Sequence, residues 1–183
     1  MKIITVTGSV GAGKTTLAKK LCNRLNFKYI DVNKIISKHD IAEGYDEERK
    51  AKIVDTKKLN KALIKEIMDT EKTLSNPDKK PEKRKNKQNG LIIDSHMSHF
   101  LPKTYANLCI VAKCDLKTLY KRLKQRKYSK EKIRENLDAE IFDVCLNEAR
   151  ENKHNILVID TTKGININYV SRKVGGLIAR KQD

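Results

Sequence analysis

Gly8-Ser9-Val10-Gly11-Ala12-Gly13-Lys14-Thr15 follows the pattern G-x-x-x-x-G-K-[ST]. Glycines at these positions admit backbone angles that aim successive N–H groups inward, and phosphate oxygens are what such a nest of donors holds. A helix beginning near Lys14 adds the positive end of its dipole. In this pattern the lysine reaches the β- and γ-phosphates of a nucleoside triphosphate and the threonine hydroxyl ligates Mg²⁺, so Lys14 and Thr15 are the expected cation and metal ligand. A second carboxylate is needed near that metal, at the carboxyl end of a neighbouring strand. Leu91-Ile92-Ile93-Asp94 has that form, an apolar strand ending in an acid, and Asp94 is expected to hold Mg²⁺ through water. His96 follows two residues later, and a neutral imidazole there could orient an attacking water.

These residues need a scaffold, and the apolar spacing supplies one. Lys2–Thr7 is β-branched and apolar, the composition of a buried strand in a parallel sheet. Phe27–Val32, Leu91–Asp94, Leu108–Ala112 and Ile156–Ile159 read as four more strands. Between them lie helical stripes: Leu17, Ala18, Leu21, Cys22 and Leu25; Leu59, Leu63, Ile64, Ile67 and Met68; Leu116, Leu119, Tyr120 and Leu123; Ile133, Leu137, Ile141, Val144 and Cys145. A closing helix is expected over Ile165–Ala179. Strand–helix alternation of this kind predicts α/β architecture, a parallel sheet with helices on both faces and right-handed crossovers. At 183 residues it should form one domain, 1–183.

Composition narrows the class further. Lys plus Arg is 40 and Asp plus Glu is 23, a net charge of +17 that favours contact with polyanions. Cys22, Cys109, Cys114 and Cys145 form no C-x-x-C pair and are expected to be reduced thiols in a cytoplasmic protein. No apolar run reaches the 18 or so residues of a membrane span, and no secretory leader pattern follows Met1-Lys2. GTPase chemistry is disfavoured because no N-K-x-D segment occurs; Asn86-Lys87-Gln88-Asn89 lacks the acid. One stretch departs from the pattern. Asp69–Asn89 holds one leucine and two prolines, and its run Lys79–Lys87 has six basic residues against one acid. It is expected to be a mobile loop or frayed helix extension, either a solvated insertion or a basic arm for a polyanion.

Five segments occur together in one order: GSVGAGKTT, EGYDEE (Glu43–Glu48), IIDSHMSHFLP (Ile92–Pro102), RKY (Arg126–Tyr128) and NLDAEIF (Asn136–Phe142). In this the chain resembles the adenylate kinase isoenzyme six, or CINAP-type, family over nearly its whole length except Asp69–Asn89. The resemblance implies a P-loop NTPase of nucleoside-monophosphate-kinase type, with a five-stranded parallel sheet, a monophosphate-binding segment over 31–54 and a lid over 125–135. It implies the reaction ATP + AMP = 2 ADP, or transfer to another nucleoside monophosphate, with ATP hydrolysis beside it. It also implies a part in small-ribosomal-subunit maturation with a small-subunit ribosomal protein and pre-rRNA as partners. ATP contacts then fall on Gly11, Ala12, Gly13, Lys14, Thr15 and Thr16, and the lid arginine on Arg126, whose neighbour is Lys127 where the family often has glycine. Asp160–Gly164, after the fifth strand, is where such kinases commonly cradle adenine. Lys14, Asp94, His96 and Arg126 are thus the expected catalytic set. Two other readings stay open: a P-loop kinase for another small acceptor, and a nucleotide-switched ribosome assembly factor with incidental turnover.

Overall fold

The computed structural model describes residues 1–47, 51–75 and 90–179. Strands β1 (Lys2–Thr7), β2 (Lys28–Asp31), β5 (Gly90–Asp94), β6 (Leu108–Lys113) and β7 (Ile156–Asp160) form one parallel sheet in the order β2-β5-β1-β6-β7. Helices α1 (Lys14–Leu25), α2 (Val32–Lys38), α3 (Thr56–Ser75), α4 (Leu116–Gln125), α5 (Lys130–Ile141), α6 (Val144–Glu151) and α7 (Ile167–Ala179) surround it.

The two-residue period of β1 decides which face each helix covers. Ile4 and Val6 point to one side and, with Ile92, Leu108 and Ile110, meet Leu17, Leu21 and Cys22 of α1 and Val170 and Val174 of α7. Ile3, Leu91 and Ile93 point to the other, against Ile35 and Ile36 of α2 and Leu59, Leu63 and Ile67 of α3. Cys109 and Val111 continue that second side under Leu146 and Ala149 of α6. Burial on both faces is why these strands are apolar runs with little alternation. The register aligns the carboxyl ends: Val6 lies opposite Asp94, Asp31 opposite Asp94, and Lys113 opposite Asp160. That common edge is where a doubly covered sheet places its ligands.

Several elements depart from the sequence expectations. Strand β2 stops at Asp31, because the Asp31 carboxylate accepts from the Asn33 N–H and caps α2 over what was expected to be strand. Within 31–54 the chain also forms an antiparallel hairpin, β3 (Ala42–Asp46) with β4 (Ala51–Val54), bulged between Ala42 and Gly44. Of the basic stretch, Asp69–Ser75 takes the helical of its two expected forms, as the last part of α3. Thr70 there is buried and accepts from Lys28 Nζ at 3.0 Å. The run Lys79–Lys87 lies outside the described residues, as do Glu48, Arg49 and Lys50. The long helical region after β6 breaks twice, at Lys127 (φ 56°) and Asp143 (φ 54°), giving α4, α5 and α6. Asp115 and Ser129 cap the first two of these through the Thr118 and Lys132 N–H groups. Among the described residues no helix is long and apolar enough to cross a membrane.

Candidate functional site

The loop between β1 and α1 is shaped by close approach. Gly8 has φ 134°, and a Cβ there would stand 2.2 Å from the Ala112 carbonyl oxygen on β6, so only glycine fits. Gly13 has φ 89°, and its Cβ would meet Thr161 Oγ1 at 2.9 Å. Unlike α2, α4 and α5, helix α1 has no side-chain cap; its N-cap is Gly13. Its first amides are therefore free of side-chain competition, which is the arrangement an anion uses.

Lys14 and its surroundings set the electrostatics. The Lys14 ammonium donates to the Ser9 carbonyl at 2.9 Å, and the Ala12 N–H donates to the same oxygen at 3.1 Å. Burial holds the ammonium below its usual range, while the nearby Cys145 and Asp94 pull the other way and Arg126 adds to the lowering. A cation short of solvation and flanked by further positive charge gains from an approaching polyphosphate. Thr15 and Thr16 lie on the exposed first turn of α1.

Asp94 closes β5 and is only 5 % exposed. Its Oδ2 accepts from the Tyr29 hydroxyl at 2.8 Å, and its buried Oδ1 has no hydrogen-bond partner. An unsatisfied buried carboxylate oxygen calls for a donor or a cation. Asp94 with Thr15 offers the hard oxygen ligands that suit Mg²⁺. His96 faces outward from the loop after β5; desolvation, then the charges of Lys14 and Lys132, push its imidazole down to about 4, so it is neutral at pH 7. His99 does not join it. Its ring is buried, hydrogen-bonded through Nδ1 to Thr7 Oγ1 at 2.7 Å, with Nε2 2.9 Å from Glu148 Oε2 on α6.

Across the loop from Asp94, a cavity of about 350 Å³ opens between Gly11, Gly13, Thr16, Arg122, Arg126, Thr161 and Gly164. The structure thus brings Arg126, at the end of α4, to the same cavity as the P-loop glycines and the turn after β7. Lys127 beside it holds φ 56°, a backbone angle that favours glycine, so the side chain at this position is strained.

Two groups here were not singled out from sequence. Arg122 donates to the Gly11 carbonyl (3.3 Å), to Thr161 Oγ1 (3.2 Å) and to the Thr161 carbonyl (2.9 Å), while Thr161 Oγ1 donates to the Ala12 carbonyl (2.6 Å). Together they tie α4, the P-loop and the turn after β7 into one wall. In sequence Arg122 is one basic residue among eight in Lys121–Arg134, and nothing marks it. Glu140 is the second: buried on α5, it accepts from Ser9 Oγ at 2.6 Å. In sequence it was masked, because the stripe of Ile133 and Leu137 continues to Ile141, whereas the structure leaves Ile141 exposed and buries Glu140 beside it.

A family model described as an AAA domain matches residues 4–143. A protein of Methanocaldococcus jannaschii named "Putative adenylate kinase" is 34 % identical over 98 % of this chain and 88 % of its own length. An adenylate kinase isoenzyme 6 homolog of Saccharomyces cerevisiae is 35 % identical over 93 % of this chain and 79 % of its own. Among solved structures, shikimate kinase of Acinetobacter baumannii superposes with a TM-score of 0.55 at 15 % identity, covering 100 % of this chain and 96 % of that one. The likeness to the kinase structure concerns the fold alone.

Proposed function

Because the chain belongs to the adenylate kinase isoenzyme 6 family, with matches spanning nearly its whole length, we propose that it transfers the γ-phosphoryl group of ATP to a nucleoside monophosphate, with AMP as the first acceptor to test (ATP + AMP = 2 ADP). The observation that carries this reading is the shared strand edge. Asp94 and Arg126 come from separate segments far along the chain, yet both lie near Lys14 of the P-loop, and α2 and the strand pair β3–β4 follow the strand β2.

A monophosphate acceptor oxygen is already anionic near neutral pH, so positioning and charge neutralisation do most of the work. In this reading the P-loop N–H groups and Lys14 hold the β- and γ-phosphates, and Arg126 closes over them as charge spreads onto the transferring group. Segment 125–135 acts as the lid and segment 31–54 receives the monophosphate. Gly11, Ala12, Gly13, Thr15 and Thr16 complete the ATP contacts, with the base against Arg122 and the Asp160–Gly164 turn. Mg²⁺, held by Thr15 and by Asp94 through water, would neutralise phosphate charge as a Lewis acid. Neutral His96 orients a water when no acceptor is bound, which gives ATP hydrolysis as a second activity.

Initial rates of ADP formation from MgATP with AMP, CMP, dAMP or no acceptor test this directly. Acceptor-dependent ADP formation well above the acceptor-free rate supports the reading. Acceptor-free hydrolysis alone, unchanged by any monophosphate, refutes it. The net charge of +17 favours a second role on a polyanion, for which small-subunit maturation with a ribosomal protein and pre-rRNA is the form we propose. A nucleotide-switched factor would bind such partners with different affinity in ATP and ADP, whereas a pure kinase would not.

A further inference from the structure

Glu140 and Asp94 are the buried acids among the described residues, and the phosphoryl-transfer scheme uses only Asp94. A carboxylate in a helix–sheet interface is costly unless its lone pairs are used. Those of Glu140 are: Oε2 accepts from Ser9 Oγ at 2.6 Å, Oε1 accepts from the Cys114 N–H at 3.0 Å, and Lys113 Nζ stands 3.7 Å from Oε1. The stripe of Ile133 and Leu137 would continue more cheaply with an apolar residue, so what the charge holds must account for it. It holds the P-loop. Ser9 is the second residue of the motif, and its carbonyl is the oxygen on which both the Ala12 N–H and the Lys14 ammonium converge. A short hydroxyl-to-carboxylate bond is among the stronger hydrogen bonds a loop residue can make.

The same helix leads back through Ser129 to Arg126. Its far end is fastened to β6, because Lys113 Nζ donates to the Glu140 carbonyl at 3.1 Å and also bonds the Asp143 carboxylate. We propose that Glu140 is a positioning residue for phosphoryl transfer. Acting through Ser9, it fixes the P-loop and Lys14 in place and joins the segment bearing Arg126 to the phosphate cradle. This rests on the kinase reading above.

The test is a double-mutant cycle between Ser9→Ala and Glu140→Ala, read in kcat and KM for ATP with AMP and in ATP affinity by titration, well below each variant's melting temperature. Ser9→Ala should lower kcat/KM about tenfold in the native background and less than twofold beside Glu140→Ala, because the bond is already gone. Glu140→Gln should recover most of the rate, since its amide oxygen can face the Cys114 N–H while its NH₂ donates to Ser9 Oγ. A residue that only held the fold together would lower the melting temperature yet leave the Ser9→Ala loss the same in both backgrounds, and that result overturns the proposal. If Glu140→Ala does not fold, Glu140→Leu, which continues the apolar stripe, takes its place in the cycle. Should the native protein transfer phosphate to no monophosphate, the kinase reading fails by itself. The same cycle read in ATP affinity then decides the role of Glu140, with coupling upholding it and additivity removing it.

Discussion

Asp94→Asn separates the two jobs that the proposed function gives to the two oxygens of one side chain. Oδ2 takes the Tyr29 hydroxyl at 2.8 Å, and asparagine keeps that bond by turning its carbonyl oxygen toward Tyr29. Oδ1, buried and without a hydrogen-bond partner, is replaced by an NH₂ that cannot bind a cation or accept from its water. The shape is unchanged and a buried charge is removed, so folding stability should move by no more than about 1 kcal/mol. The loss of one preorganised electrostatic partner in the site is worth about 3 kcal/mol, or roughly 10²-fold in kcat. On the proposed reading the carboxylate acts through the metal, so the Mg²⁺ concentration for half-maximal rate should rise at least about tenfold, with ATP affinity changed only a few-fold. Initial rates across a Mg²⁺ series at saturating nucleotide, with calorimetric ATP binding beside them, measure all three. Tyr29→Phe is the control: it strips Oδ2 of its donor and should cost about 1–3 kcal/mol of stability while retaining the Mg²⁺ response. If Asp94→Asn abolishes ATP binding and its residual rate keeps the native Mg²⁺ dependence, the division of labour is wrong.

His96→Ala should lower acceptor-free hydrolysis more than transfer to AMP, because water needs orienting and a bound phosphate does not; equal losses would remove the separate role. With the imidazole pushed down to about 4, His96 is neutral above pH 5, so hydrolysis should show no inflection near 6.5. An inflection there that disappears in His96→Ala would contradict the assignment. Arg126→Ala should lower kcat for transfer by roughly 10- to 10³-fold, and a change confined to KM would mean that ground and transition states are bound alike. Lys127→Gly relieves a φ of 56° and should stabilise by about 1 kcal/mol, seen as a rise of roughly 2–4 °C in a thermal melt. An unchanged or lower melting temperature would show that the side chain contributes contacts that outweigh the strain.

What was legible in sequence was whatever depends on local period or fixed spacing. The apolar runs of the inner strands β1, β5 and β6 stood out because burial on both faces demands that composition, and the P-loop glycines declared themselves because their angles and clearances exclude other residues. The hairpin Ala42–Asp46 with Ala51–Val54 left no such trace, being largely exposed, with no apolar face to impose alternation. The start of α2 differs from the expectation because the Asp31 cap overrides a β-prone Val32. Arg122 belongs to the site through contacts to Thr161 and Gly11, 39 and 111 residues away, which no local pattern encodes. Glu140 was hidden twice over, by the apolar Ile141 beside it, which takes its place in the expected stripe, and by a partner, Ser9, that is 131 residues away. Thr70, buried on α3 and accepting from Lys28 Nζ, also shows that a truncation of the basic stretch has to begin after residue 70.

On the proposed reading, this P-loop moves the γ-phosphoryl group of ATP onto a nucleoside monophosphate. Incubating the protein with Mg²⁺, AMP and ATP labelled in the γ-phosphate, then separating the products, follows that group itself. The expected result is label in the β-phosphate of newly formed ADP, in amounts matching the AMP consumed, and a loss of at least about 10²-fold with Lys14→Ala in a variant that melts like the native protein. Label appearing only as inorganic phosphate, or labelled ADP forming at a near-native rate in Lys14→Ala, would contradict it.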